Sequence, residues 1–242
     1  QGTIVTGTLL GKDLRVGETV ALQPSGQNTT IRSLQSRGEK RDVIYAGERM
    51  AANLRGVGVA DIARGEVLCT VGSGNPSACL DAHIQLLPDA ALALKHMDEV
   101  RVSFGTSSVV ASVRIFGGAR ISPADSGYVQ LRFKEPVVAF AGQRGVVRRL
   151  SPSETIGGAV FIDPQATLAK SGDKKRVAVL EAAQTQDAKV IAKALCCSHG
   201  GVARLSDVSR ISRTTLHAAD LQLSDSFQTL GDDKISTTEN IV

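Results

Sequence analysis

Four five-residue stretches constrain what this chain can become. Ala82-His83-Ile84-Gln85-Leu86, Val100-Arg101-Val102-Ser103-Phe104, Ala111-Ser112-Val113-Arg114-Ile115 and Val129-Gln130-Leu131-Arg132-Phe133 each alternate apolar and polar residues. Period two is the signature of a strand with one face in a core and one face in water. A slip of one residue would turn every apolar side chain outward, so the pattern also fixes the register. Arg101, Arg114 and Arg132 are thereby assigned to outer faces. Four such strands within about eighty residues predict a small barrel.

Residues 1–75 give a second, less regular set of strands, expected at Thr3–Leu10, Glu18–Leu22, Thr30–Ser36, Met50–Leu54 and Val67–Thr70. Turn signals at Gly11-Lys12-Asp13, Pro24-Ser25-Gly26 and Gly65 separate them, again as in a small closed barrel. Aromatics make up only 3% of the chain and Trp is absent, so these cores are built from Val, Leu, Ile and Ala. The stretch VGSGNPSA at 71–78 reads as a linker.

From about residue 170 the period lengthens. Val177 and Leu180, then Val190, Ile191, Ala194 and Leu195, recur at helical spacing, and His199-Gly200-Gly201 is a helix stop. RLSDVSRI predicts another short helix. Ser212 is placed to N-cap a further one through RTTLHAADLQL, carrying Arg213 and His217. FQTLGDDKISTTENIV reads as a hairpin turning at Gly231-Asp232-Asp233. Helices followed by a hairpin are the winged-helix order. The expected architecture is mainly β: two consecutive small β-barrels, 1–75 and 76–168, then an α+β winged-helix domain, 169–242.

The search for catalytic chemistry yields nothing recognisable. Gly11-Lys12 is followed by Asp13 and lacks the spacing of a phosphate loop. Neither a Gly-x-Ser-x-Gly elbow nor a His-Glu-x-x-His motif occurs. His83, His96, His199 and His217 stand apart, read as one strand, one loop and two helix positions. Cys69, Cys79, Cys196 and Cys197 lack paired metal spacing, so buried or reduced thiols are expected and no metal site. No apolar run spans a membrane, and the absence of a leader predicts a cytoplasmic protein. The net charge of +4 is spread evenly along the chain, which permits nucleic-acid binding without demanding it. The Arg-bearing barrel face and the Arg148-Arg149 doublet are candidates for phosphate contact; an ordinary solvated face is the alternative.

The first barrel carries more specific marks. Gly2-Thr3-x-Val5-Thr6-Gly7, Ala46-Gly47-Glu48-Arg49 and the closing ADIARGEVL resemble the second domain of the translational GTPases. Arg after Ala-Gly-Glu, where general elongation factors usually have Asn, resembles the bacterial selenocysteine-specific elongation factors. VRVSFGTSSVVASVRIF and GYVQLRFKEPVVAFAGQRGVVRRLSPSETIGGAVFIDP resemble the third domain of that family, with RRLSPSETIGGA…DP the most particular part. Ser103 departs from the His often found there. The resemblance is strong over 1–165 and continues as an order of elements beyond.

That resemblance implies a set of expectations. The family's G domain would precede Gln1, and further winged helices, including the reader of the messenger hairpin, would follow Val242. The chain would be a fragment that does not itself hydrolyse GTP, with GTP and Mg belonging to the intact factor and no cofactor to this piece. Its partners would be selenocysteyl-tRNA and the ribosome, its state a monomer without membrane contact. By position, Arg49 is implied near the selenol, Thr6 in the aminoacyl pocket, and Gln35 where general factors use Glu toward the terminal ribose. The alternatives are a salt bridge from Arg49 to Glu48 or Asp42, and ordinary strand roles for Thr6 and Gln35. Two other readings of the whole stay open: a piece of another translational GTPase, and a non-enzymatic winged-helix module binding nucleic acid or protein.

Overall fold

The computed structural model describes residues 2–217, 220, 227–230 and 233–237. It divides into two compact units, Gln1–Pro76 and Ser77–Val242, and the division falls inside the Gly/Ser/Pro stretch 71–78.

In the first unit the strands are β1 (Thr3–Thr8), β2 (Leu14–Arg15), β3 (Thr19–Gln23), β4 (Gln27–Ser36), β5 (Glu39–Arg41), β6 (Val43–Ile44), β7 (Arg49–Leu54) and β8 (Val67–Thr70). All pairings are antiparallel. The sheet runs β1-β7-β4-β3-β8, with β5 added to β4, and β2 pairs β6 separately. Val20, Leu22, Ile31, Leu34, Ile44, Ala52 and Leu54 fill its core, in keeping with a chain poor in aromatics. Among the described residues the hydrogen-bonded path ends at β1 and β8, so it is open where the turn spacing predicts closure.

The second unit begins with β9 (Ser77–Leu86), β10 (Leu94–Lys95), β11 (Glu99–Phe104), β12 (Ser107–Ile115), β13 (Arg120–Ile121), β14 (Ser126–Val137), β15 (Arg144–Arg149) and β16 (Thr155–Asp163). Six of these close into a barrel in the order β11-β12-β14-β9-β16-β15. Each alternating pentapeptide lies within one barrel strand with its apolar residues inward: Val100, Val102, Val113, Val129 and Leu131 are all buried. Phe104 and Phe161 meet edge-to-face, with ring centroids 5.0 Å apart, a favoured aromatic geometry.

After the barrel come α1 (Lys174–Gln184), α2 (Ala188–Ser198), β17 (Val202–Arg204), α3 (Leu205–Ser212), β18 (Phe227–Thr229) and β19 (Lys234–Thr237). Asp173 and Asp187 N-cap the first two helices by accepting from Arg176 N and Lys189 N, which satisfies amides that have no partner within the helix. Gly200 takes φ +73 and Gly201 donates to the Cys196 carbonyl at 2.8 Å, ending α2 at the expected place. The buried stripe of α2 is Ile191, Ala192, Leu195 and Cys196, whereas Val190 is exposed. The predicted stripe was therefore rotated by about one position.

Ser212 does not begin a helix. It is the last residue of α3, its hydroxyl turned back to the Ser209 carbonyl, and Arg213 follows in the left-handed region. Residues 213–217 are not helical, and most of the helix expected beyond them lies outside the described residues. His199 caps α2 and His217 sits in this non-helical stretch, so neither is a helix-interior histidine. The expected hairpin forms, with Gln228 opposite Ser236; its turn residues Gly231 and Asp232 lie outside the described residues. The three short strands order as β17-β19-β18. The helical core takes in two residues from the barrel side, Phe116 and Ile162.

Candidate functional site

In the first unit, register brings the sequence-assigned residues together. Thr6 on β1 is the Cα partner of Ala51 on β7, and Ala51 is the partner of Gln35 on β4. Directly opposed residues in antiparallel strands share a face, so Thr6, Ala51 and Gln35 form one outward row. Arg49 lies two residues from Ala51 on β7 and opposes Thr8, which puts it on the same face. Thr6, Gln35 and Arg49 are all exposed, and Ala51 between them contributes only a methyl group. The floor of the patch is low and its rim is polar.

The turn before β7 explains the local sequence. Gly47 adopts φ +89, a left-handed conformation suited to glycine. The Glu48 carboxylate accepts from Tyr45 N at 2.9 Å, and Asp13 accepts from Ala46 N at 3.4 Å. Glu48 is thus engaged by the turn. Among the described residues no carboxylate forms an ion pair with Arg49, so the salt bridges to Glu48 or Asp42 are not formed. The Arg49 carbonyl is held by the Ser36 hydroxyl at 2.9 Å. The backbone is fixed and the guanidinium is left to solvent.

Lys40 completes the row, although no motif in its own stretch of sequence marks it. It is the Cα partner of Gln35 across the β4–β5 hairpin and is exposed. Arg37 and Gly38, with φ +52 and +84, form the two-residue turn of that hairpin. A two-residue turn of this kind fixes the pairing of the flanking strands. The turn lies within SRGE, where Arg at a left-handed position conceals it.

On the second barrel, Arg101 of β11 is the Cα partner of Arg148 of β15. Like charges directly opposed on a sheet repel. Arg144 and Val146 continue the same face of β15, and Ser103 pairs with Ser108, their hydroxyls 3.1 Å apart. Arg114 opposes Gln130 on a nearby row. Arg148 Nε and Arg114 Nη1 are buried without a hydrogen-bond partner among the described residues. Arg132 does not join this face as a free cation. Its Nε donates to Gln130 Oε1 at 3.0 Å and its Nη2 to the Ala169 carbonyl at 2.8 Å. Arg149 donates through Nη2 to the Leu92 carbonyl at 3.0 Å.

His83 and His96 are engaged by the scaffold, and the Cys79 thiol is buried. His83 stacks edge-on against Tyr128, with centroids 5.2 Å apart, and burial lowers its pKa. His96 Nδ1 accepts from Ile115 N at 3.1 Å. Burial pushes the Cys79 thiol up to about 12, with the Asp81 carboxylate adding to the rise. Among the described residues no cluster of His, Cys, Asp and Glu has the makings of a metal site. No helix there is long and apolar enough to cross a membrane.

Residues 81–167 match the family model described as the selenocysteine-specific elongation factor β-barrel domain. The selenocysteine-specific elongation factor of Desulfomicrobium baculatum is 34% identical over 203 residues, which cover 83% of this chain and 32% of that protein. The crystal structure of a bacterial selenocysteine-specific elongation factor, EF-Sec, superposes with a TM-score of 0.72 at 22% identity. That match covers 98% of this chain and 37% of the other, and it shows the shared fold. The chain spans about a third of the length of each of these relatives. Residues 81–167 thus carry the β-barrel domain of the selenocysteine-specific elongation factors, and 83% of the chain is similar to a stretch of one of them.

Proposed function

We propose that this chain supplies the tRNA-holding barrels of a GTP-dependent factor that delivers selenocysteyl-tRNA to the ribosome at recoded UGA codons. The observation that carries the proposal is Arg49: a backbone-anchored cation with no counter-ion among the described residues, on one face with Thr6 and Gln35. In this reading the aminoacyl end lies across the Thr6–Ala51–Gln35 row. A selenol is ionised at neutral pH, whereas a seryl hydroxyl is not. A fixed guanidinium therefore favours the selenocysteyl over the seryl form by charge. Gln35 offers an amide oxygen as acceptor for the terminal ribose hydroxyl.

The Arg101–Arg148 face of the second barrel suits a phosphate backbone, because an anion between the two guanidiniums relieves their repulsion. GTP and Mg belong to the complete factor in this proposal. The chain itself acts as a non-catalytic part, monomeric and in the cytoplasm. The expectation that 1–242 does not turn over GTP is tested by assaying the purified chain.

The decisive experiment compares selenocysteyl- and seryl-tRNA binding to the complete factor carrying Arg49→Ala. The expected result is a large loss for selenocysteyl-tRNA and a small one for seryl-tRNA. Equal losses overturn the charge argument.

A further inference from the structure

One strand pairing in the second unit is unfavourable taken alone. Asp81 of β9 and Asp163 at the end of β16 are Cα partners, and both side chains are buried, at 0% and 2% exposure. Two opposed carboxylates without water cannot both stay charged unless cations come to them. The barrel has no such cation in its own strands near Asp163. The helices that follow it provide two.

Arg176, in the first turn of α1 and 7% exposed, divides its guanidinium between the pair. Its Nε donates to Asp81 Oδ2, and its Nη2 donates to Asp163 Oδ2 at 2.7 Å. Arg210 of α3 donates through Nε to Asp163 Oδ1 at 2.9 Å and through Nη1 to Asp207 at 2.6 Å. Gln130 of β14 donates to Asp81 Oδ1 at 2.8 Å and to the Thr167 carbonyl at 3.0 Å. Its own oxygen accepts from Arg132 and from Ala169 N. The strands β9, β14 and β16, the connecting segment and both helices thus meet in one hydrogen-bonded cluster. A third arginine, Arg213 just after α3, lies over Gly142, where a Cβ would collide with it.

The geometry points to a charge lock: the barrel presents a two-carboxylate socket, α1 and α3 insert its two arginines, and the barrel and helices are thereby held as one rigid arm. The groups facing Asp81 are Arg176, Gln130 and, further off, Asp163 and the Cys79 thiol. Those facing Asp163 are Arg176, Arg210 and Asp81, with Gln165 N donating to its Oδ1 at 3.0 Å. Asp163 has two arginines and its carboxyl is held below the usual range: burial raises it, and Arg210 and Arg176 outweigh that rise. Asp81 has only one arginine, which it shares. Burial raises its carboxyl to about 6 against the pull of Arg176. Asp81 is therefore the weak side of the lock. The lock itself is insensitive to moderate salt, because its charges are out of reach of the ionic atmosphere.

The test measures the arm directly. Native Cys197 on α2 is exposed, while Cys69, Cys79 and Cys196 are buried. A spin label there, paired with one at Lys134→Cys on the exposed side of β14, reports a barrel-to-helix distance by pulsed electron resonance in the 242-residue chain. The expected result is one narrow distribution, unchanged between low and moderate salt. Arg176→Met should split or broaden it and lower Tm by roughly 10 °C. Adding Asp81→Asn to Arg176→Met should restore part of both, since the uncompensated buried charge is removed. Arg210→Met, which leaves the Arg176 fork intact, keeps the question answerable if Arg176→Met does not fold; it should broaden the distribution partially. A broad distribution in the parent chain, or a narrow one retained in both arginine variants, overturns the lock.

Discussion

Two groups of arginines in this chain have opposite fates. On the first unit's outer face, Arg49 is exposed and has no carboxylate among the described residues. At the seam of the second unit, Arg176 is buried and divides its fork between two aspartates. The side chains are chemically identical. Burial with complete pairing makes a cation structural, and exposure on an anchored backbone leaves it available for a ligand. The Arg101–Arg148 face lies between these extremes, outward but internally repulsive. Arg132 shows that an outward position does not guarantee availability, since Gln130 and the Ala169 carbonyl claim its donors.

Breaking the seam should have the largest effect. Asp163→Ala removes the acceptor shared by Arg176 and Arg210 and leaves both cations short of a partner. The expected cost is roughly 3–5 kcal/mol of unfolding free energy, read by urea denaturation. A cost below about 1 kcal/mol would place the seam among ordinary surface pairs and dissolve the contrast with Arg49.

The pH dependence sharpens the same contrast. Asp81 is raised to about 6 from an ordinary 3.8, chiefly by burial. The folded state thus binds this proton more tightly than the unfolded chain. Its contribution favours folding at low pH and is lost as pH rises from about 4 through 6. The total is up to about 3 kcal/mol. Asp163, shifted down, behaves oppositely and loses its contribution only in stronger acid. His83, lowered by burial, works against Asp81, because its contribution is present above 6.5 and lost as pH falls. Urea unfolding of the parent chain and Asp81→Asn between pH 4 and 7 separates these, since His83 is common to both. The variant should gain on the parent as pH rises across that window, and parallel profiles would remove Asp81 as the titrating group.

On the exposed faces the effects move from stability to binding. Neutralising Arg101 and Arg148 together should reduce the salt slope of RNA binding by about 2 and leave thermal stability unchanged or slightly higher, because a like-charge pair has been relieved. An unchanged slope would return this face to ordinary solvation. The smallest stability effect belongs to Arg49→Ala, within about 0.5 kcal/mol by urea denaturation, while its selenocysteyl-tRNA affinity falls. A larger stability loss would show that Arg49 has a structural partner after all.

The candidate site on the first unit is partly legible in the sequence. Thr6, Gln35 and Arg49 came from resemblance, and the strand register then placed them on one face. Lys40 is not legible in the sequence, because its place beside Gln35 depends on the tight Arg37-Gly38 turn, and Arg is an unusual residue at a positive φ. The seam was not legible at all. Arg176 closes a Lys-Lys-Arg run that reads as a solvated helix start, and Asp81 and Asp163 stand far apart in the chain.

The sequence by itself determined four of the six strands of the second barrel, their inward and outward faces, and the helix stop at His199-Gly200-Gly201. Each of these follows from local periodicity or backbone preference, which a few residues encode. Only the tertiary structure decided which charges are buried and which are free. That outcome depends on desolvation and on partners brought from distant strands and helices, and no local pattern carries it.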